Sequence, residues 1–82
     1  MSKKEKLFDR LSRKPSPTDF RWQDLVTLAA QHDFTVTCAG GSHHIFQHAN
    51  GLTFAVSKTH PSGLLKTYQV RAALEALNKV RT

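Results

Sequence analysis

Gly40-Gly41-Ser42-His43-His44-Ile45-Phe46-Gln47-His48-Ala49-Asn50-Gly51-Leu52-Thr53-Phe54-Ala55-Val56 is the stretch on which the fold turns. Paired glycines permit a tight turn, and Asn50-Gly51 is a strong hairpin signal. On either side apolar and polar residues alternate, the period of strands that bury one face. Two registers are open. A two-residue turn at Asn50-Gly51 pairs Phe46 with Ala55 and Ile45 with Val56. A three-residue loop, Ala49-Asn50-Gly51, pairs Phe46 with Phe54 and His44 with Val56. The second gathers Phe46, Phe54 and Val56 on one face, to pack with Phe34, Val36 and Cys38 of the alternating segment upstream, and is preferred for that agreement. Because a one-residue slip exchanges the two faces, the same choice sends His43 to the open face beside Ile45 and Gln47.

Helices flank this meander. Lys3 to Arg13 places Leu7, Phe8 and Leu11 on one face, and Lys14-Pro15-Ser16-Pro17 breaks it, since proline removes a donor and restricts its predecessor. Ser16 is the expected N-cap of the next helix, with Pro17 at its first position and Asp19 at its third. From about Phe20 to Gln31 the residues Trp22, Leu25, Val26, Leu28 and Ala29 form one apolar face. Lys58 to Gly63 reads as a loop. Thr67 is the expected cap of a last helix with the stripe Val70, Ala73, Leu74 and Leu77. The order is α+β: helix, helix, three antiparallel strands, helix. Helices from both ends of the meander must cover one sheet face and leave the other open. This is the α-β-β-β-α plan of double-stranded-RNA-binding domains with an extra helix in front. Residues 1–15 are expected to form a basic N-terminal extension, and residues 16–82 the domain proper.

A chain of 82 residues has room for one small core and a shallow surface site, not a deep substrate cavity. One cysteine, Cys38, excludes an intrachain disulfide and a cysteine-based zinc site, and is expected to be a small buried apolar residue. No apolar run reaches the ~20 residues of a membrane span, and no hydrophobic segment follows the N-terminal basic residues as in a secretory signal. The cytoplasm is the expected location, and no membrane partner is expected. The net charge is +6, and residues 1–14 carry Lys3, Lys4, Lys6, Arg10, Arg13 and Lys14 against only Glu5 and Asp9. A cationic surface draws polyphosphates by counterion release, which makes RNA a candidate partner.

Five histidines raise the question of a metal. His43 and His44 are neighbours on a strand and point to opposite faces, while His44 and His48 share a face ~13 Å apart at ~3.3 Å per residue. Ligands of one zinc ion must each come within ~2.1 Å of it, so no metal site and no cofactor are expected. His32 suits the carbonyls at the end of its helix, and His48 reads as a surface residue at the hairpin edge. His43, fixed at the start of a strand, is left as the proton-transfer candidate.

The run Gly41-Ser42-His43-His44-Ile45-Phe46, then His48-Ala49-Asn50-Gly51, an apolar strand, a loop with His60-Pro61 and a closing helix, resembles the HicA toxins. These are small messenger-RNA interferases of bacterial type II toxin–antitoxin systems, and the similarity runs from about Phe20 to Leu77. The resemblance implies a double-stranded-RNA-binding-like fold, metal-independent RNA cleavage, and a HicB-type antitoxin that masks the site. It assigns the catalytic role to the histidine after Gly-Ser, which is His43. Residues 1–19 are an extension that the shortest members lack, and Ser57-Lys58-Thr59-His60 departs from the commoner Val-Pro-His-Pro pattern.

In an endoribonuclease of this kind, His43 would take the proton of a ribose 2′-hydroxyl, the group that separates RNA from DNA. Ser42, Lys58, His60, Lys66 and Tyr68 are candidates to support it, one of them as the acid at the leaving oxygen. Arg21, Lys58, Lys66 and Arg71 are candidates to hold RNA phosphates. Two other functions use the same surface: a non-catalytic RNA-binding module, which has no need of His43, and a protein adaptor that adds a strand to the sheet.

Overall fold

The computed structural model of the chain describes residues 3–58 and 63–81. Its elements are α1 (Lys3–Leu11), α2 (Trp22–Gln31), β1 (Phe34–Gly40), β2 (His43–His48), β3 (Thr53–Ser57) and α3 (Thr67–Arg81). The strands form one antiparallel sheet in the order β1-β2-β3. The architecture is the expected α+β one. No helix among the described residues is long and apolar enough to cross a membrane.

The hairpin takes the three-residue loop. Phe46 pairs with Phe54, His44 with Val56 and His43 with Ser57. Gly51 adopts φ +99°, a left-handed conformation that costs glycine little. The Asn50 side chain accepts the Leu52 N–H at 2.9 Å, and His48 Nδ1 accepts the Asn50 N–H at 3.0 Å. At the other end of β2 the chain turns through Gly40 (φ +126°) and Gly41 (φ +55°), with a bulge in β1 between Cys38 and Gly40.

This register sends Phe46 and Val56 into the core with Phe34, where they join Leu11, Phe20, Trp22, Leu25, Leu28, Val70, Ala73 and Leu77. Trp22 lies over the sheet, its ring 4.8 Å from the His44 ring and 5.7 Å from that of Phe46. The opposite sheet face, with Thr35, Thr37, Ile45, Gln47 and Ala55, is exposed. Leu11 anchors α1 to the same core. The end of α1 also meets the first turn of α2 and the last turn of α3. Arg10 pairs with Asp24 at 3.6 Å, and the Arg81 guanidinium sits 3.8 Å from the Phe8 ring centre. His32 caps α2 as expected. Arg81 Nη1 donates to its Nε2 at 2.9 Å, so Nδ1 carries the proton and donates to the Leu28 carbonyl, also at 2.9 Å.

Three local expectations are corrected. Ser16 does not cap α2. The chain stays extended through Phe20 and Arg21, which bridges to Leu64. The Trp22 N–H donates to the Gly63 carbonyl at 2.7 Å and the Leu65 N–H to the Phe20 carbonyl at 2.8 Å. That pairing buries Phe20 completely and delays the helix until Trp22, where Asp24 accepts the Arg21 N–H at 3.2 Å. Thr67 is the first residue of α3 rather than its cap, because the Gln69 side chain accepts the preceding Lys66 N–H at 3.0 Å. Cys38 is exposed rather than buried, its thiol 3.6 Å from the Gly41 carbonyl. It has the parity of the core face, but the cover at that end is Trp22, which lies over His44 and Phe46.

Candidate active site

His43 opens β2 directly after the glycine turn, on the sheet face away from the core, and is exposed. Its cross-strand partner is Ser57, the last residue of β3, whose Oγ lies 3.1 Å from His43 Nδ1. The backbone around this pair is tied from several sides. The Ser42 carbonyl accepts both the Lys58 N–H and the Nδ1–H of His44, each at 2.8 Å. From α3, Gln69 Nε2 donates to the Ser57 carbonyl at 2.9 Å. No hydrogen bond to His43 Nε2 occurs among the described residues.

Between β3 and the first turns of α3, His43, Ser57, Tyr68 and Gln69 frame a pocket of about 170 Å³, with Ala55 and Ala72 as small walls. Tyr68 is 65% exposed, and Ile45, two residues from His43 on the same face, is 41% exposed. Among the described residues these are the two large hydrophobics left in solvent, and both adjoin the histidine. An exposed ring beside a small cleft is a surface on which an unpaired base can stack.

The structure brings some of the expected residues together and separates others. Ser42 adjoins His43 and takes part through its carbonyl. Lys58 follows Ser57, exposed, with its backbone bonded to Ser42. Tyr68 shares the pocket with His43. Lys66 is exposed one residue before α3, and its N–H is held by Gln69. Arg71 lies instead on a separate groove along α3 with Leu74, Glu75, Asn78 and Lys79, and Arg21 stands at the start of α2. His60 lies outside the described residues. His48 is remote from this end of β2, its ring packed 5.0 Å from that of Phe34. Among the described residues no three histidine, cysteine, aspartate or glutamate side chains are placed to share an ion.

Two residues of the site are missing from the sequence-based list. Ser57 appears there only as the first residue of the segment Ser57-Lys58-Thr59-His60. Gln69 is absent altogether, although it falls on the buried face of α3 at the helical spacing i, i+4, i+7 with Ala73 and Ala76. It is 3% exposed, the one buried polar side chain among the described residues.

The family model described as "HicA toxin of bacterial toxin-antitoxin" matches residues 22–78, from the first residue of α2 into the last turns of α3. No curated protein and no solved structure matches the chain.

Proposed function

The chain belongs to the HicA toxin family, the toxin side of a bacterial toxin–antitoxin system, and from that premise we propose that it is a metal-independent endoribonuclease acting on messenger RNA. In this reading residues 16–82 are the toxin domain and residues 1–15 a basic extension. The work is cytoplasmic, and the partner that restrains it is a HicB-type antitoxin.

The observation that carries the proposal is the placement of His43. It is exposed, its Nδ1 is engaged by Ser57, and its Nε2 has no hydrogen-bond partner among the described residues, beside a pocket edged by an exposed tyrosine. Nε2 takes the proton of the ribose 2′-hydroxyl as that oxygen attacks the adjacent phosphorus. The bond from phosphorus to the 5′-oxygen breaks, and the departing oxygen is protonated by an acid. RNA supplies its own nucleophile, so the reaction asks the protein for a base, an acid and positive charge at the phosphate. Lys58, whose backbone is bonded to Ser42, and Tyr68, which shares the pocket with His43, are candidates for the last two needs, as are Lys66 and His60. Lys58, Lys66 and Arg21 extend the phosphate contacts along the RNA, whereas Arg71 lies on the separate groove of α3.

The test is cleavage of RNA by His43→Ala. Loss of a general base costs about 10²–10⁴-fold, with the fold retained because an exposed imidazole contributes little to the core. His48→Ala should cleave as the wild type does. Unchanged cleavage by His43→Ala would remove the histidine from the chemistry. RNA binding without cleavage by the wild type would leave a binding module.

A further inference from the structure

Gln69 is costly to bury and is not needed where it lies merely to cap a helix. An exposed side chain at the same turn could accept the Lys66 N–H, and a buried amide is tolerated only when its hydrogen bonds are made. Here both ends are used. Oε1 accepts the Lys66 N–H at 3.0 Å, and Nε2 reaches across to the Ser57 carbonyl at 2.9 Å. The second bond is the informative one, because Ser57 is the residue whose hydroxyl meets His43.

We propose that Ser57 and Gln69 are positioning residues for His43: Gln69 fixes the Ser57 backbone from α3, and the Ser57 hydroxyl accepts a hydrogen bond from Nδ1–H and so keeps the Nε2 lone pair free. The inference rests on His43 being the base of the reaction. A neutral imidazole carries one proton, and the partner of one nitrogen decides the state of the other. In water the proton of a free imidazole prefers the nitrogen remote from the side-chain attachment, which is Nε2, the tautomer that cannot act as a base there. An acceptor at Nδ1 reverses that preference. The same bond persists after Nε2 gains a proton, since the imidazolium also donates from Nδ1, so the hydroxyl serves both states without moving. The end of β3 is held on two sides, by Gln69 at the Ser57 carbonyl and by Ser42 at the Lys58 N–H. That clamp keeps the hydroxyl within reach of a ring at the edge of a small sheet.

The experiment pairs long-range proton–nitrogen NMR of the His43 ring, above its titration range, with steady-state cleavage of an RNA oligonucleotide. Its four variants are Ser57→Ala, Ser57→Thr, Gln69→Glu and His43→Ala, the last to assign the signals. Gln69→Glu keeps an acceptor for the Lys66 N–H and loses the donor to Ser57, which separates capping from positioning. The wild type should show the proton on Nδ1. Ser57→Ala should move it toward Nε2 and lower kcat about ten- to a hundred-fold at unchanged KM, by analogy with the loss of the hydrogen-bond partner that orients a metal-bound histidine. Ser57→Thr should restore both readouts, and Gln69→Glu should shift both toward Ser57→Ala. A wild-type ring protonated on Nε2, or a Ser57→Ala ring with the wild-type tautomer, overturns the inference. Undiminished cleavage by His43→Ala would instead refute the general-base reading, while the tautomer comparison would still decide whether Ser57 sets the ring.

Discussion

Phe46 and Phe54 stack across β2 and β3 with ring centroids 4.8 Å apart and planes inclined by 11°. The Trp22 ring meets Phe46 nearly edge-on, as the Phe34 ring does Phe54. Phe46 is fully buried and joins α2 to the sheet. The same pairing that stacks these rings sets His43 opposite Ser57 three positions along, so the core and the site share one register. Phe46→Ala should therefore destabilise the domain by about 3–5 kcal/mol. Small domains hold only about 5–15 kcal/mol in total, so chemical denaturation of the variant should begin at or near zero denaturant. A midpoint close to wild type would mean that Phe46 is not the hub of the core.

The products report the nucleophile. Attack by the 2′-oxygen leaves a 2′,3′-cyclic phosphate or 3′-phosphate on one fragment and a 5′-hydroxyl on the other. Substrates with 2′-deoxy or 2′-methoxy ribose at the scissile position should resist cleavage, and EDTA should leave the rate unchanged. End-group analysis by mass spectrometry checks this. Fragments with 5′-phosphates, or a rate abolished by chelation, would indicate a metal-activated water.

Salt dependence sorts the cations. Where Lys58 and Lys66 contact phosphates, each replacement by alanine should weaken binding to all RNA sequences alike. Each should also lower the slope of log affinity against log salt by about 1. Lys79, 3.4 Å from Glu75 and on the groove away from His43, should leave the slope unchanged when replaced. Equal slopes for all three variants would move the RNA track elsewhere on the surface.

Restraint of the toxin should act at the site itself. The open sheet face and the positive charge suit an acidic antitoxin that competes with RNA phosphates, and such complementarity speeds association as it excludes the rival. Hydrogen exchange of the complex should show protection over Gly40 to Phe46, together with loss of cleavage. Protection confined to α1, with His43 still exposed, would require inhibition at a distance.

What the sequence makes legible follows from local chemistry. The hairpin register was decided by the parity of Phe46, Phe54 and Val56 around Ala49-Asn50-Gly51, and that parity also aimed His43. Hydropathy alone does not reveal how far a helix reaches over a strand, so Cys38 reads as core and stands in solvent. Capping is decided by competition with tertiary pairing. Ser16 loses to Asp24 because the Phe20 carbonyl and the Trp22 N–H are taken by Leu65 and Gly63, some forty residues on. Gln69 was hidden for the opposite reason. Its helical spacing marks it as inward-facing, but an amide among apolar neighbours is read as an exception until the carbonyl it serves is known.

Trp22 is the only tryptophan of the chain. It is nearly buried, and among the described residues its closest aromatic neighbour is the ring of His44, the residue next to His43. A charged imidazole quenches indole emission on contact, whereas a neutral one does so weakly. The protein thus carries an intrinsic optical reporter one residue from the proposed base, with no dye to attach. Whatever seats itself on the glycine turn and shifts β2 changes that contact, so a single stopped-flow fluorescence trace can time the arrival of RNA or antitoxin.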